Sequence, residues 1–421
     1  MKSTFAKLFF VVVTVGPVGV MAQTLPGPLP TDFGALLTPQ QEGGSRYRLA
    51  VGSDMAYDNN VYRVPGKASQ VLVAPGVSYS NTAWIRRYYA QGNIDLPVSR
   101  QRFLGQVSGS AYRFEGHSYL DYESIDYRAG WLWEVGDSLK GVLRYDRQRG
   151  LADFIDVRPT TQNVRTYENW LASAEYGVTP RWALTGALGG YQAKNGDRGF
   201  APGDLRQRMT EVGLKYNATG ANYVRGLYAV ANGRYPNRVQ TIDVDDEFTQ
   251  RDVGVEALYQ ISDATNFTGR YVRTRREFPD VPRNNQERPN WRVDFNWALS
   301  PKTALNLNTR QEYGIFEFVD PTNTARILSA PSLSTVYGVA PWWEVVPTIR
   351  IELSYERWRR AFPGLTTTRT DKLEFVRLSA RWMPNRDWLG RIGVLQSRRD
   401  STVDSFDFTD RVVYGTAEYR F

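Results

Sequence analysis

From about residue 46 onward the chain alternates apolar and polar side chains with a period of two. The clearest stretch is Asn290–Leu299. Trp291, Val293, Phe295, Trp297 and Leu299 fall on one phase; Asn290, Arg292, Asp294 and Asn296 fall on the other. Thr348–Glu356 repeats the pattern, with Ile349, Ile351, Leu353 and Tyr355 against Arg350, Glu352, Ser354 and Glu356. Successive side chains of a strand face opposite ways, so each stretch becomes a ribbon with one greasy and one wet face. At 100° per residue neither would gather its apolar residues into one helical stripe.

Turn signals set the arrangement of these strands. Short turns are predicted at Gly136–Ser138, Val178–Arg181, Asn217–Ala221, Ser262–Ala264, Ser300–Lys302, Gly338–Trp342 and Pro384–Asp387. Between them lie longer polar loops at Arg149–Val164, Lys194–Gln207, Gly233–Glu247, Glu277–Arg288, Ile315–Thr324 and Arg359–Thr370. The repeat is about 40 residues, which a β-propeller also shows. Two features favour a membrane barrel instead. The strands exceed about ten residues, enough to cross a bilayer when tilted. Trp133, Trp182, Trp297, Trp342, Trp343, Trp382 and Trp388 also lie close to the short turns, as an aromatic girdle at a membrane interface would. Alternating short and long connections are the mark of such barrels.

The expected fold is therefore all-β, a transmembrane antiparallel β-barrel. Fourteen strands follow residue 138, and Arg46–Asp58, Trp84–Leu96, Arg102–Phe114 and Tyr122–Val135 precede it. That gives 18 strands, with 16 as the alternative. Gln70–Ser80 also reads as strand and is assigned to the first external excursion. The last strand, Asp410–Phe421, alternates and ends on an aromatic residue, a pattern similar to the signal read by the barrel-assembly machinery.

Composition supports this reading. Aromatic residues make up 13% of the chain, with 25 Tyr and 12 Trp, yet mean hydropathy is −0.46. Half-greasy strands spread apolar residues thinly in this way. Residues 1–22 carry Lys2 and Lys7, a short apolar core and Val20-Met21-Ala22, which predicts a signal peptide cleaved after Ala22. Residues 23–45 are expected to be a periplasmic lead-in segment, and 46–421 the barrel.

The formal net charge is +8, carried mainly by 44 arginines against eight lysines. They are scattered through strands beside acids rather than clustered, which argues against a nucleic-acid partner. We read Arg144, Asp146, Arg292, Asp294, Arg350, Glu352, Glu418 and Arg420 as lining a wet lumen suited to anionic or sugar-like solutes. The plainer alternative is that they only hydrate the strand faces. Trp133, Trp182, Trp291, Trp297, Trp382, Trp388 and Phe421 are assigned to the lipid face or its interface.

Candidate chemistry is sparse. There is no Cys, so thiol nucleophiles, disulfides and Cys-bound zinc are excluded. The single histidine, His117, reads as a loop residue rather than a catalyst. Asp243, Asp245, Asp246 and Glu247 crowd one external loop, but lack the spacing of a calcium loop and read as a solvated charge run. No carboxylate pair stands out for glycoside cleavage, and no phosphate-binding glycine loop occurs. The sequence thus points to no catalytic residue, metal or cofactor. Outer-membrane lipid and lipopolysaccharide are the expected surroundings.

The N-terminal third adds a resemblance. Tyr57-Asp58-Asn59-Asn60-Val61-Tyr62-Arg63-Val64-Pro65, Pro97–Phe103, and Tyr119–Tyr122 with Tyr127-Arg128-Ala129 and Trp131/Trp133 are similar to segments of exopolysaccharide-associated outer-membrane barrels of the EpsL type. The resemblance covers about residues 47–145, and the Gln70–Ser80 insertion departs from it. It implies a part in exopolysaccharide biosynthesis or export, with a secreted polysaccharide and periplasmic export components as partners. The alternative is a general or anion-preferring diffusion porin.

Overall fold

A computed structural model describes residues 46–66, 70–74, 77–155, 162–240, 245–320, 323–362 and 369–421. The expected signal peptide, the lead-in segment and Asp243 lie outside these residues. The strands are β1 (Tyr47–Asp58), β2 (Gln70–Ala74), β3 (Val77–Ser80), β4 (Ala83–Val98), β5 (Gln101–Phe114), β6 (Tyr122–Val135) and β7 (Leu139–Leu151). They continue as β8 (Val164–Gly177), β9 (Trp182–Lys194), β10 (Leu205–Asn217), β11 (Tyr223–Arg234), β12 (Glu247–Ser262), β13 (Thr265–Glu277) and β14 (Gln286–Ser300). The last are β15 (Thr303–Asp320), β16 (Asn323–Val346), β17 (Ile349–Phe362), β18 (Arg369–Trp382), β19 (Trp388–Ser401) and β20 (Phe408–Arg420).

Eighteen of them form one closed antiparallel barrel in sequence order. β1 closes it by pairing with both β4 and β20, in the registers Val51↔Ala90 and Val51↔Tyr419. β2 and β3 form a separate hairpin within the connection from β1 to β4, as expected for the first excursion. Closure is required physically: a free strand edge in hydrocarbon would leave N–H and C=O groups with no partner.

Two faces separate cleanly. Val51, Leu184, Val253, Ile392 and Val413 are exposed large apolar residues of the outer phase. Side chains of the other phase converge across intervening strands, which only the concave side permits. Tyr89 on β4 hydrogen-bonds Glu418 on β20 at 2.7 Å, past β1, and Arg270 on β13 reaches Glu211 on β10 at 3.2 Å. Trp291, Val293, Phe295, Trp297 and Leu299 lie on the outer phase of β14.

Two connections differ from expectation. The Gly338–Trp342 segment is strand, and the short turn lies beyond Val346, before Ile349. Gly338 has a structural reason: a Cβ there would stand 2.4 Å from the Asn308 amide. Pro341 keeps its place opposite Leu305 on β15, while the ladder to β17 skips Ala340 and Pro341 without changing register. A missing N–H is tolerable where a ladder is interrupted. Likewise Ile315–Thr324 is mostly strand, because β15 and β16 run on as a long hairpin; β15 pairs with β14 only up to Gln311.

Candidate functional site

The connection after β7 turns into the barrel. Phe154 packs edge-on against Tyr62 at 5.6 Å between ring centroids. Ile155 joins an apolar cluster with Val336 on β16, Trp358 on β17, Leu373 on β18 and Phe408 on β20. β7 and β16 are diametrically opposed, with eight strands between them either way round. Four extended residues beyond Leu151 reach at most about 14 Å, so the passage at this level is short enough for one strand and its side chains to cross. The Ile155 carbonyl accepts a hydrogen bond from Arg399 Nη1 on β19, and Arg399 Nη2 bonds Asp371 at 2.9 Å.

The loop after β1 folds in beside it. Asn60 Nδ2 donates to Val64 O at 3.0 Å and Val64 N donates back to Asn60 Oδ1 at 3.0 Å, closing a tight turn. Arg63 adopts φ 54, a left-handed conformation costing about 1–2 kcal/mol for an L-residue. Its ion pairs to Asp58 (2.8 Å) and Asp410 (3.5 Å), all three side chains buried, hold it there. Tyr62 packs in the apolar cluster of the mouth with Ile85, Phe114, Leu120 and Phe154. Burial pushes the Tyr62 phenol well above its ordinary pKa. His117 is a loop pin: Nε2 faces Thr82 O at 3.0 Å and Nδ1 faces Tyr62 Oη at 3.1 Å. A carbonyl only accepts, so Nε2 carries the proton and Tyr62 donates to Nδ1.

Below the mouth the inner wall is charged. Arg225 lies between Glu211 (3.1 Å) and Glu256 (2.9 Å), and Arg270 reaches both acids at 3.2 Å. This quartet is neutral. The wall of β16–β20 differs, because Arg350, Arg381 and Arg391 occupy directly paired positions on β17, β18 and β19. Like charges directly opposite one another are destabilising, so this row requires counter-charge or water. Glu344 meets Arg350 at 3.3 Å, and Glu352 meets Arg391 at a loose 3.9 Å. Arg350 also stacks over Trp342, 4.2 Å from the ring centre.

The residues singled out from sequence are distributed as follows. Arg144–Asp146 (3.1 Å), Arg292–Asp294 (2.7 Å) and Arg420–Glu418 (2.7 Å) are ion pairs two residues apart on one phase. Arg350 and Glu352 are not a pair; each turns to another residue. Trp182, Trp297, Trp382, Trp388 and Phe421 are exposed on the outer phase, and Trp133 lies over Gly141, where a Cβ would stand 2.3 Å from its ring. Trp291 shares the outer phase of β14. Trp342 departs from the expected girdle and faces inward. Arg381, Arg391 and the Glu211–Arg225–Glu256–Arg270 quartet were not singled out. Carrying the two-residue phase along every strand would have placed them on the inner face, but their adjacency depends on register. Asp245 accepts from Glu247 N (3.1 Å) and Asp280 N (2.8 Å), and Arg234 takes Asp246 and Glu247, so these acids tie loops together. Among the described residues no group of three or more acids or histidines could hold a metal.

A closed 18-strand antiparallel barrel with an apolar skin, aromatic residues by its short turns and a charged interior has the architecture of an outer-membrane β-barrel. No protein-family model and no curated protein matches the chain. Among solved structures it is similar to OccAB3 of Acinetobacter baumannii, at 11% identity over 89% of this chain and 98% of that one, with a TM-score of 0.46. OpdL of Pseudomonas aeruginosa gives 9%, 89%, 98% and 0.46. The outer membrane protein OpdK of the same organism, solved with vanillate, gives 10%, 89%, 99% and 0.47. These findings correct the resemblance to exopolysaccharide-associated EpsL-type barrels: the similar barrels are Occ and Opd proteins, and no family model supports that resemblance. The quoted motif has another purpose in this chain, since Asp58, Asn60, Arg63 and Val64 lock the first loop onto the mouth. The roles in polysaccharide biosynthesis and export, with their polysaccharide and periplasmic partners, are withdrawn.

Proposed function

We propose that this barrel is a diffusion channel for small solutes, with a preference for anions. The observation that carries the reading is the row of Arg350, Arg381 and Arg391, side by side on three adjoining strands of the inner wall. Arg350 is met by Glu344 at 3.3 Å, and Arg391 only loosely by Glu352 at 3.9 Å. Guanidinium groups do not deprotonate in proteins, so the row stays positive at any physiological pH. An anion entering past Ile155 would exchange part of its hydration for these donors. The other six residues expected to line the lumen fit this scheme as further wall charge, with Arg144, Arg292 and Arg420 each held by a neighbouring acid.

The test is reversal potential in planar bilayers under a potassium chloride gradient. Wild type should favour chloride. Arg350→Gln, Arg381→Gln and Arg391→Gln combined should remove three charges and move the preference toward potassium. An unchanged reversal potential would refute the anion pathway along this wall. We assign Phe421, at the exposed end of the last strand, to recognition by the barrel-assembly machinery.

A further inference from the structure

The outer wall carries a depression that the channel reading does not use. A cavity of about 850 Å³ crosses β1, β4, β5, β6 and β7 on the outer phase. Its shape follows from register: Val51, Ala90, Gly109 and Ile125 stand in one paired row, and Tyr88 and Ala111 in the next. Two small residues between two large ones make a trough along β4 and β5. A Cβ at Gly109 would meet nothing within 4 Å, so the trough is open at its floor. Its volume is within the usual ligand range of about 300–1,000 Å³.

The trough is apolar below and charged above. Arg147, Arg149 and Glu123 line its end toward the long loops. A second cavity of about 460 Å³ adjoins it there, with Arg113, Arg149, Asp121 and Glu123 among its lining. Arg147 pairs with Glu168 at 3.4 Å and Arg113 with Glu123 at 3.0 Å, while the Arg149 guanidinium has no ion pair among the described residues. The same polarity holds around the barrel. In the half of each strand next to the short turns, the outer phase carries no charge, as in Trp131, Trp133 and Val135 of β6 or Ile349, Ile351 and Leu353 of β17. Outer-phase charge is confined to the loop half, where cations such as Arg208, Arg251, Arg275 and Arg359 outnumber carboxylates.

We propose that this trough holds one phosphorylated glycolipid of the outer leaflet, with an acyl chain over Ala90, Gly109 and Ala111 and a phosphate at Arg149 and Arg147. Arginine presents a planar fork that matches phosphate. An apolar slot ending in unneutralised guanidinium fits a ligand that is greasy at one end and anionic at the other. A neutral lipid would leave Arg149 unused, and a second barrel would bring a like-charged rim against it.

Native mass spectrometry of the refolded barrel, titrated with diphosphoryl lipid A, tests this. The wild type should retain one lipid A and bind phosphatidylglycerol and phosphate-free lipid A far more weakly. Arg149→Gln should weaken lipid A binding roughly tenfold, the loss of one charge-assisted hydrogen bond. Gly109→Leu, which fills the floor, should weaken it similarly, with heat-modifiable gel mobility reporting correct folding. Arg251→Gln, on the far side of the barrel, should leave binding unchanged. Equal binding of phosphatidylglycerol, no effect of Arg149→Gln, an equal effect of Arg251→Gln, or dimers in place of lipid adducts would each overturn the assignment.

Discussion

Replacing Arg399 by methionine should loosen the segment that crosses the lumen without damaging the wall that holds it. Arg399 donates from Nη1 to the Ile155 carbonyl and from Nη2 to Asp371. Asp371 does not become an orphan in the variant, because Arg369 holds it through two hydrogen bonds of 3.0 and 2.7 Å and Ser401 through a third of 2.7 Å. The loss therefore falls on the segment. A hydrogen bond from a charged donor contributes about 1.5–3 kcal/mol. Burial of Ile155 contributes about 1.5–3 kcal/mol more. Arg399→Met alone should shift the ratio of seated to unseated segment by roughly 10- to 150-fold, yet leave the seated form in the majority. Single-channel recordings should then show the same main conductance with far more frequent excursions to a higher level. Combining Arg399→Met with Ile155→Ser removes both anchors, and the higher level should become the main one. A double variant with the conductance and noise of wild type would mean that Ile155 does not narrow the conducting path, and the reasoning would fall.

Other expectations follow from the same packing. Arg225→Met removes one of the two cations that neutralise the buried Glu211 and Glu256, and should destabilise the barrel by about 3–5 kcal/mol in urea unfolding followed by tryptophan fluorescence; a midpoint unchanged from wild type would show the quartet to be dispensable. Gly254→Ala places a methyl 2.0 Å from the Tyr271 carbonyl and should prevent a heat-modifiable barrel from forming, whereas Gly109→Ala, in open space, should fold normally. Phe421→Ala should slow insertion into vesicles carrying purified assembly machinery and leave refolding in detergent unaffected; equal slowing of both would place its role in stability.

The two-residue alternation was enough to determine strands and the greasy skin; their number stood at 18 with 16 as the alternative until the closed register fixed it. Once Trp291 and Val293 lie on one phase, Arg292 and Asp294 must lie on the other, because neighbouring side chains of a strand point oppositely. Short turns at Gly136–Ser138 and Ser300–Lys302 were legible because turn residues interrupt that alternation, but Gly338 and Pro341 mimicked a turn inside β16. Their strand placement depends on Asn308 and the β15 ladder, which local sequence does not contain. Tertiary structure alone decided what meets what. Arg350, Arg381 and Arg391 are far apart in sequence and adjacent only through register. Ile155 finds Arg399 only because the barrel closes and brings β19 within reach of the strand end at Leu151. The trough on the outer wall likewise needs Ala90 and Gly109 in one row. A strand's faces are fixed by covalent geometry within a few residues, whereas rows across strands and contacts across the lumen exist only once the cylinder is closed.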